Sequence, residues 1–480
     1  MSRTSAARDM GPAGFPTGTR VRHARGGFRG MRIVLAVGGL AFLAVNVAIG
    51  VVIVSGALDG QWYDFRDLGI AVQQLREGLD DRFDPWVSYV VTAAIGGGAL
   101  LTFIGVMLVL LVWVERRLLA RFQVRRGPNR VGPFGLLQPV ADALKLIQKE
   151  VLVPQGADRL MFFLPPILVF IPLMLIWGPV PWARHMSFVD LNVGVLYVIA
   201  AGSLTTLVIF IAGWSSNNHY ALLGSMRTVA MMISYEIPQS MSLVAVVIMA
   251  GSMNLGEIVE WQSDHNLWLA ALLPISLFSF FFSSTAELNR TPNDIAEAES
   301  EIVAGFHTEY SGMKFGLFLA VELGNTLAVS ALVATLFLGG WSLFGLEEWI
   351  PGYLILAAKI SAMYFLFVWL RATLPRFRLD QLMAFAWKYL IPLSIVNVLI
   401  AAAEATIFAE VEAPGIVLLG AFVVVNWVLA VVLFRLWAGV AGHRPEREHL
   451  LRPTLATSVG GLEAAKRMQQ VASSPAASPR

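Results

Sequence analysis

The segment of residues 286–314 holds six acidic side chains against only two basic ones. Asp294, Glu297 and Glu301 are spaced three and four residues apart, so they share one face if the segment is helical. Carboxylates this close repel one another, and burial also raises their pKa values toward neutral pH. The pattern predicts a carboxylate cluster that takes up and releases protons, with a solvated acidic face as the alternative. The six acids are Glu287, Asp294, Glu297, Glu299, Glu301 and Glu309.

Three further charged residues lie within long apolar stretches: Glu236, Glu322 and Lys359. An unpaired charge is costly in an apolar environment, so each of these residues must pair, lose its charge or meet water. The functional interpretation is a proton relay that crosses several helices. The alternatives are structural ion pairs and, for Lys359, an ammonium group that extends to the membrane surface.

Two basic segments accompany the acidic one. In residues 115–159, five arginines precede a Gly-Pro-Asn turn signal, and apolar residues then recur at helical spacing. This pattern is typical of an amphipathic helix that lies on a membrane surface or a partner. In residues 371–388, Arg371, Arg376 and Arg378 lie near Asp380. We expect the basic segments to meet the acidic segment in one shared site; charge that only orients the chain is the alternative.

Several other kinds of chemistry are excluded or disfavoured. The chain has no cysteine, which excludes disulfides, thiolate zinc sites, iron–sulfur ligation and cysteine nucleophiles. None of the seven histidines lies in the middle of an apolar stretch, which disfavours a membrane haem with paired histidine ligands. The sequence contains neither a P-loop nor a dinucleotide-binding fingerprint. We therefore expect no redox chemistry by this chain alone, no metal site and no nucleic-acid partner.

The elements that must position these residues are membrane-spanning helices. Of the 480 residues, 56% are hydrophobic and only 14% are charged. About 20 apolar residues cross a bilayer as a helix, and only helices or closed barrels satisfy the backbone there. The sequence predicts an all-α, polytopic transmembrane protein of about ten spans. The predicted spans are 33–56, 87–114, 160–180, 193–213, 229–251, 267–285, 315–338, 353–370, 389–403 and 414–437.

The basic residues predict the orientation of these spans. Thirty lysines and arginines, with Arg435 at the end of the last span counted among them, fall on one side of the ten-span arrangement. Four fall on the other side, and Lys359 lies inside a span. The basic side of a membrane protein faces the cytoplasm. This predicts a multi-pass protein of the bacterial inner membrane with both termini in the cytoplasm.

Four motifs resemble the quinone-site membrane subunit of respiratory complex I, called the H subunit in bacteria and NADH dehydrogenase subunit 1 in mitochondria. They are ERRLLARFQVRRGPNRVGPFGLLQPVADALKL, GWSSNNHYALLGSMRTVAMMISYE, AEAESEIVAGFHTEYSG and RATLPRFRLDQLMAFAWK. The resemblance covers residues 87–403, the eight-span core of the family. The sequence departs from the family pattern at Asn293, where a Phe is common, and at Leu288, where a Thr is common.

The resemblance implies a function that the residue chemistry alone leaves open. The family's subunit anchors a peripheral arm whose iron–sulfur chain delivers electrons to quinone, and partner subunits carry the FMN and the iron–sulfur clusters. Its acidic loop links the quinone chamber to the proton pathway of the membrane arm. The implied proton-coupling residues are Glu236, Glu287, Asp294, Glu297, Glu299, Glu301, Glu309, Glu322 and Lys359. The implied quinone-chamber or arm-interface residues are Arg126, Lys145, Arg371, Arg376, Arg378 and Asp380.

These observations divide the chain into five predicted parts. They are a basic tail (1–32), an extra span with an acidic outer loop (33–86), the eight-span core (87–403), an extra C-terminal span (404–440) and a second tail (441–480). Both tails are rich in Ala, Ser, Gly, Pro and Arg, a composition typical of flexible segments. The first span exceeds a usual signal-peptide core, so we expect an uncleaved anchor. The extra spans are expected to contact lipid or a small neighbouring membrane subunit.

Two other functions remain as alternatives. The chain could be the homologous membrane subunit of an energy-converting hydrogenase or of another dehydrogenase, although TLPRFRLDQLM and FHTEYSG favour the quinone-linked family. It could also be an independent ion transporter, since ten spans with buried charges permit transport. A transporter that acts alone needs neither the basic loops nor the acidic loop. The leading hypothesis is a non-redox subunit of a proton-translocating NADH:quinone oxidoreductase.

Overall fold

The protein is mainly helical in the parts that its computed structural model describes. The described residues are 84–184, 186–295, 304–411 and 415–442, and they contain no β-strand. The predicted first span, the N-terminal tail and most of the C-terminal tail lie outside these ranges. So do Glu297, Glu299 and Glu301 of the acidic segment.

Fifteen α-helices follow one another in the described ranges. They are α1 (Pro85–Phe122), α2 (Gln138–Gln148), α3 (Arg159–Phe163), α4 (Pro165–Leu168), α5 (Phe170–Trp177), α6 (Gly194–Ser215), α7 (His219–Ala250), α8 (Leu255–Asp264), α9 (Leu269–Leu272), α10 (Pro274–Glu287), α11 (Met313–Leu336), α12 (Gly352–Thr373), α13 (Leu379–Phe385), α14 (Ile391–Glu410) and α15 (Gly415–Gly442). A π-helical turn, Ala386–Leu390, joins α13 to α14.

Eight stretches of the described helices are long and apolar enough to cross a membrane. They are Gly96–Phe122, Arg159–Trp177, Gly194–Ser215, His219–Ala250, Met313–Leu336, Gly352–Thr373, Leu379–Glu410 and Val417–Leu436. Each corresponds to one predicted span. The protein is therefore a polytopic all-α membrane protein, as predicted, but the number of ten spans is not confirmed.

The predicted span 267–285 is not one continuous helix. It divides at Leu273, whose φ and ψ of −120° and 64° are not helical, and α10 begins at Pro274. Proline favours the first turn of a helix because it has no N–H to leave unpaired there. The resulting α10 has 14 residues and measures about 21 Å at 1.5 Å per residue.

The ninth predicted span is longer in the structure than in the sequence prediction. Residues 389–403 were expected to cross the membrane, but the helix begins at Leu379 and continues to Glu410. Glu404, which the prediction placed in an outer loop, is consequently a buried residue of α14.

Helix α7 packs against three other long helices. Asn218 begins the helix by accepting a hydrogen bond from the Tyr220 amide, and Gly251 ends it with the left-handed φ of 72° that glycine adopts without strain. Helices α6, α10 and α14 each pack along it. Helix α11 packs against α12 and α1, and 72% of the residues in its most apolar 18-residue stretch are buried. It is therefore an interior helix.

One contact between helix and loop involves no side chain. Gly224 of α7 lies against Gly305, the first residue of a 3₁₀ turn that ends at His307. A Cβ atom added to Gly224 would lie 2.6 Å from Gly305 Cα, closer than non-bonded carbons approach. The loop backbone therefore rests directly on the α7 backbone.

The chain forms two compact units, Met1–Asn426 and Trp427–Arg480. The helices from α1 to α14 and the site described next belong to the first unit. The described residues of the second unit are 427–442, which are helical.

Candidate functional site

A buried arginine joins two helices just beyond the end of α10. The Arg290 side chain is only 1% exposed, and its Nη1 donates to Glu115 Oε1 of α1 at 2.8 Å. Its Nε lies 3.5 Å from Glu322 Oε1 of α11. Burial opposes the charge of Arg290, but the carboxylates of Glu115 and Glu322 outweigh it and raise the pKa of the guanidinium. Arg290 is therefore a permanent cation between two acids.

Helix α12 adds two further groups to the same carboxylate. Arg371 Nη1 pairs with Glu115 Oε1, and the Tyr364 hydroxyl donates to Glu115 Oε2 at 3.0 Å. Together with Arg290 and Glu322 these residues form what we call the Arg290 cluster. Two carboxylates and two guanidinium groups balance its charge. Such balance is needed because a buried charge without a partner is strongly destabilising.

A second pair of carboxylates lies where α6, α7 and α10 meet. Glu236 Oε1 accepts a hydrogen bond from Thr206 Oγ1 of α6 at 3.0 Å. Glu287, the last residue of α10, is hydrogen-bonded to the Gln239 side chain and is close enough to Glu236 for their charges to interact. Its Oε2 has no partner among the described residues. Gly202 leaves room for this carboxylate, since a Cβ there would lie 3.1 Å from Glu287 Oε1.

A small cavity separates the two groups of charges. Its volume of about 40 Å³ accommodates a few water molecules, because one water centre requires about 10–15 Å³. Glu287 and Glu322 both line it, so one wall belongs to the carboxylate pair and another to the Arg290 cluster. Asn289, His307 and Asn325 also line it and supply polar atoms. Water in this cavity can hydrogen-bond both carboxylates, which is the arrangement that proton exchange between them requires.

His307 lines the cavity as a neutral base. Its ring centroid lies 3.8 Å from that of Phe306 and 5.3 Å from that of Phe318. Burial lowers the pKa of this imidazole to about 3, far below its ordinary value of 6.5. The protein therefore holds His307 uncharged throughout the physiological pH range.

This burial predicts a pH dependence of stability. The pKa of His307 is lower in the folded than in the unfolded chain, so its contribution to stability is complete above pH 6.5 and declines as the pH falls. At about pH 5.5 the loss amounts to about 1 kcal/mol. We expect His307→Phe to reduce the shift of the thermal midpoint between about pH 7.5 and 5.5. The control is exposed His219→Gln, and an equal shift in wild type and His307→Phe contradicts the assignment.

The beginning of the acidic segment contacts the basic segment that follows α12. Arg376 Nη2 donates to Asp294 Oδ2 at 2.8 Å, and the Phe377 amide donates to Pro292 O at 3.0 Å. Beyond this contact, Arg378 and Asp380 lie 3.5 Å apart and are largely exposed. The structure thus joins the two segments through one ion pair and one backbone hydrogen bond.

The end of the acidic segment contacts the start of α7. The Asn218 side chain donates to Glu309 Oε1 at 2.7 Å, so Asn218 both begins the helix and binds this carboxylate. Glu309 is therefore separate from the cavity. The structure describes three of the six acids in this segment, Glu287, Asp294 and Glu309, and places them at three separate positions. Among these three, only Glu287 lines the cavity.

The amphipathic helix predicted in the first basic segment is α2. Asp142 accepts hydrogen bonds from Arg116 and from Gln138, and Lys145 lies 3.7 Å from it. Burial opposes the charge of Asp142, but these hydrogen bonds and the Arg116 charge outweigh it and lower its pKa. The ion pair fastens α2 to the end of α1. Lys145 and Arg126 are exposed.

Lys359 lies apart from all of these groups. Its Nζ donates to the carbonyls of Leu338 at 2.6 Å, Gly340 at 2.9 Å and Ser342. Arg371 of the Arg290 cluster is twelve residues further along α12, about 18 Å at 1.5 Å per residue. The structure does not bring Lys359 to the cavity. Instead its ammonium holds the loop that follows α11.

This geometry predicts a structural effect for Lys359. We expect Lys359→Met to lower the thermal midpoint of the assembled protein, because hydrogen bonds from a charged donor are each worth about 1.5–3 kcal/mol. Turnover per assembled molecule should change less than about two-fold. Lys359→Arg retains the charge and should recover part of the stability. Loss of turnover with an unchanged thermal midpoint would instead place Lys359 in a proton pathway.

Comparison with known proteins decides the family. A family model described as NADH dehydrogenase matches residues 97–402, which is more than half of the chain. The chain belongs to the NADH dehydrogenase family. This family member is 47% identical over 356 residues to the NADH-quinone oxidoreductase H subunit of Dehalococcoides mccartyi strain CBDB1. That alignment covers 74% of this chain and 97% of the relative.

Two other relatives carry the same name. The counterpart from Geobacillus kaustophilus is 49% identical over 292 residues, covering 61% of this chain and 87% of the relative. The counterpart from Rickettsia canadensis is 47% identical over 289 residues, covering 59% and 85%. The family resemblance predicted from four sequence motifs is confirmed, and these homologues are subunits of an enzyme complex.

The two departures from the family pattern fit the structure of this NADH dehydrogenase family member. Asn293 is fully buried, and its side chain donates to Thr285 Oγ1 at 3.0 Å. Leu288 is buried in the core and lines the cavity. The Asn293 backbone amide donates to Arg290 O at 2.8 Å, within the turn that follows Arg290.

Sequence reasoning missed Glu115, which pairs with two arginines in this NADH dehydrogenase family member. Glu115 was assigned to the start of a basic loop, and Arg290 was seen only as a counter-charge. The available signal was a single acid at the junction of an apolar stretch and two arginines. An acid at that position is near the end of a span and must find a partner.

Proposed function

We propose that this NADH dehydrogenase family member is the quinone-site membrane subunit of a proton-translocating NADH:quinone oxidoreductase in a bacterial cytoplasmic membrane. The names of its relatives support the assignment, and so does an alignment that covers 97% of the Dehalococcoides mccartyi relative. The distribution of basic residues supports two cytoplasmic termini. On this orientation α2, the acidic segment and the basic segment after α12 face the cytoplasm.

The observation that carries this proposal is the cavity between Glu287 and Glu322. Reduction of a quinone to a quinol consumes two electrons and two protons, so a quinone site needs groups that supply protons. One end of the cavity is Glu287, whose Oε2 has no partner in the described part of the chain, and the other is Glu322, which lies beside the permanent cation Arg290. We propose that the carboxylate pair and the cavity transfer protons between the quinone chamber and the membrane arm.

The electrons come from partner subunits in this proposal. The cysteine-free chain has no thiolate ligand for an iron–sulfur cluster. We propose that peripheral-arm subunits bring the FMN and the iron–sulfur clusters to the cytoplasmic face. Their docking surface includes the exposed cations Arg126, Lys145 and Arg378. Small membrane-arm subunits and lipid would cover the remaining apolar faces.

The contact between Asp294 and Arg376 suggests how the quinone chamber communicates with the cavity. It joins the acidic segment to the basic segment at a partly exposed position. A change of charge at the chamber alters this ion pair, and Pro292 and Arg290 connect it through a short stretch of backbone to the Arg290 cluster. We propose that the acidic segment, including Glu297, Glu299 and Glu301, shifts protons in response.

Isolation of the tagged chain with its partners tests the proposal. We expect it to copurify with subunits that contain FMN and iron–sulfur clusters and to reduce quinone with NADH. A nickel–iron partner would support the hydrogenase-type alternative, and ion transport by the purified chain alone would support a transporter. Either result contradicts the proposed function. Flavin and metal analysis of the same preparation distinguishes the three.

A further inference from the structure

A row of buried polar side chains extends away from Glu287 between α10 and α14. We define the polar row as Ser283, Ser279 and Ser276 of α10 with Asn397 and Glu404 of α14. All three serines have 0% exposure, Asn397 has 4% and Glu404 has 5%. Both helices pack along α7 as well as against each other. The row therefore lies inside the helix bundle and not on its lipid-facing surface.

The spacing of these residues aligns them along the axes of α10 and α14. Ser276, Ser283 and Glu287 are seven and four residues apart, which places them on one face of α10 over about 16 Å. Asn397 and Glu404 are seven residues apart, or about 10 Å along α14. Asn397 Nδ2 donates to Ser276 Oγ at 2.6 Å and joins the two faces. From Glu287 to Glu404 the row covers about 27 Å, close to the thickness of a hydrocarbon core of about 30 Å.

Two serines of the row lack the hydrogen bond that buried serines in helices usually make. Ser284 donates to Phe280 O at 2.8 Å, and Ser242 donates to Pro238 O at 2.7 Å, each to the carbonyl four residues earlier. The hydroxyls of Ser279 and Ser283 have no partner in the described part of the chain. A buried hydroxyl without a partner costs about 1–3 kcal/mol. Buried polar groups of this kind usually bind water.

A carboxyl group with few contacts lies at the far end of the row. Glu404 Oε2 accepts from Asn426 Nδ2 at 2.9 Å, and the second hydrogen of that amide goes to Leu272 O at 2.8 Å. Glu404 Oε1 has no partner among the residues that the structure describes, and none of their basic side chains pairs with Glu404. A fixed anion in such a place is costly. Glu404 is therefore well suited to accept and release a proton.

We propose that the polar row is a proton-transfer route within this chain, with Glu404 as its terminal carboxyl group. The row links Glu287, and through it the cavity, to the membrane face opposite the acidic segment. Its far end lies outside residues 97–402, which the family model matches. The inference rests on the proposed function, because it assumes a complex that translocates protons. Water held by Ser279 and Ser283 would complete the hydrogen-bonded chain between Glu287 and Ser276.

The test compares two glutamates of α14 in the assembled complex. Glu404→Gln keeps the size and the hydrogen-bond acceptor but cannot carry a proton, while Glu410→Gln changes an exposed residue of the same helix. Each complex is reconstituted into proteoliposomes with NADH and quinone. We expect Glu404→Gln to lower the rate of proton translocation by about ten-fold or more relative to Glu410→Gln. NADH:ferricyanide activity should be unchanged, and Glu404→Asp should recover part of the rate.

A second pair of variants covers the case in which Glu404→Gln fails to assemble. The double variant Ser279→Ala and Ser283→Ala removes two hydroxyls that make no described hydrogen bond, so its assembly should be preserved. Ser284→Ala, which removes a hydroxyl already bonded to Phe280 O, is its control. We expect the double variant, and not the control, to translocate protons more slowly. Full translocation in the double variant, or in an assembled Glu404→Gln complex, overturns the polar row as a route. Failure of the wild-type complex to reduce quinone would instead contradict the proposed function.

Discussion

Arg290→Met should destabilise the protein by about 3–5 kcal/mol and remove most of the assembled complex from the membrane. The substitution keeps the apolar part of the side chain but leaves Glu115 and Glu322 without their shared cation. A buried ion pair broken on one side is more damaging than one replaced on both sides, because the remaining charge is uncompensated. Native gels of solubilised membranes and the thermal midpoint of the complex measure the effect.

Two further variants separate loss of charge balance from loss of packing. Arg184→Met removes an exposed arginine outside the cluster and the proposed docking surface, and should change stability by less than about 0.5 kcal/mol. The double variant Arg290→Met with Glu115→Gln leaves one positive charge, Arg371, and one negative charge, Glu322. Because these charges balance, the double variant should recover part of the lost stability. If the double variant is as unstable as Arg290→Met alone, the cluster does not act through charge balance.

Glu287→Gln should produce the largest loss of activity that leaves the complex assembled. Proton transfer by a positioned carboxyl group contributes about 100-fold or more to a rate, and the amide cannot perform it. Gln is nearly the same size, so the contact with Gln239 and the fit against Gly202 can be retained. We expect quinone-linked proton translocation to fall by about 100-fold, with NADH:ferricyanide activity intact.

The matched control for this prediction is Glu257→Gln, which alters an exposed acid of α8. Its translocation rate should equal that of the wild type. Glu287→Asp retains an ionisable group at a shorter reach, so an intermediate rate is expected. Wild-type translocation by an assembled Glu287→Gln complex would show that the carboxylate pair is structural, and the cavity would lose its proposed role.

Most spans could be predicted because a run of about 20 apolar residues has few other stable structures in a membrane. The break at Leu273 could not be predicted from hydropathy. Gln262 of α8 holds the start of the short helix α9 before this break, since its side chain accepts from the Leu269 amide and donates to Thr335 O. Gln262 and Thr335 are 73 residues apart, and only the folded chain brings them together.

The candidate site could be predicted where acidic residues interrupt a pattern of apolar or basic residues. Glu236 and Glu322 stand out because acids are rare in apolar stretches, and Glu287 stands out as a member of the acidic segment. All three lie at or next to the cavity. Glu115 did not stand out, because its partner Arg290 is 175 residues away. Glu404 was missed for a related reason, since only the length of α14 and its contact with Asn426 reveal its burial.

The contact between Gly224 and Gly305 gives the proposed coupling a mechanical property. At this contact the two backbones touch directly, so no flexible side chain is present there to absorb a displacement of the loop. Glu236 lies twelve residues further along the same helix, about 18 Å away. A displacement of the acidic segment would therefore be transmitted along α7 to the carboxylate pair. A bulkier residue at position 224 would keep the loop at Gly305 permanently separated from α7 and weaken this transmission.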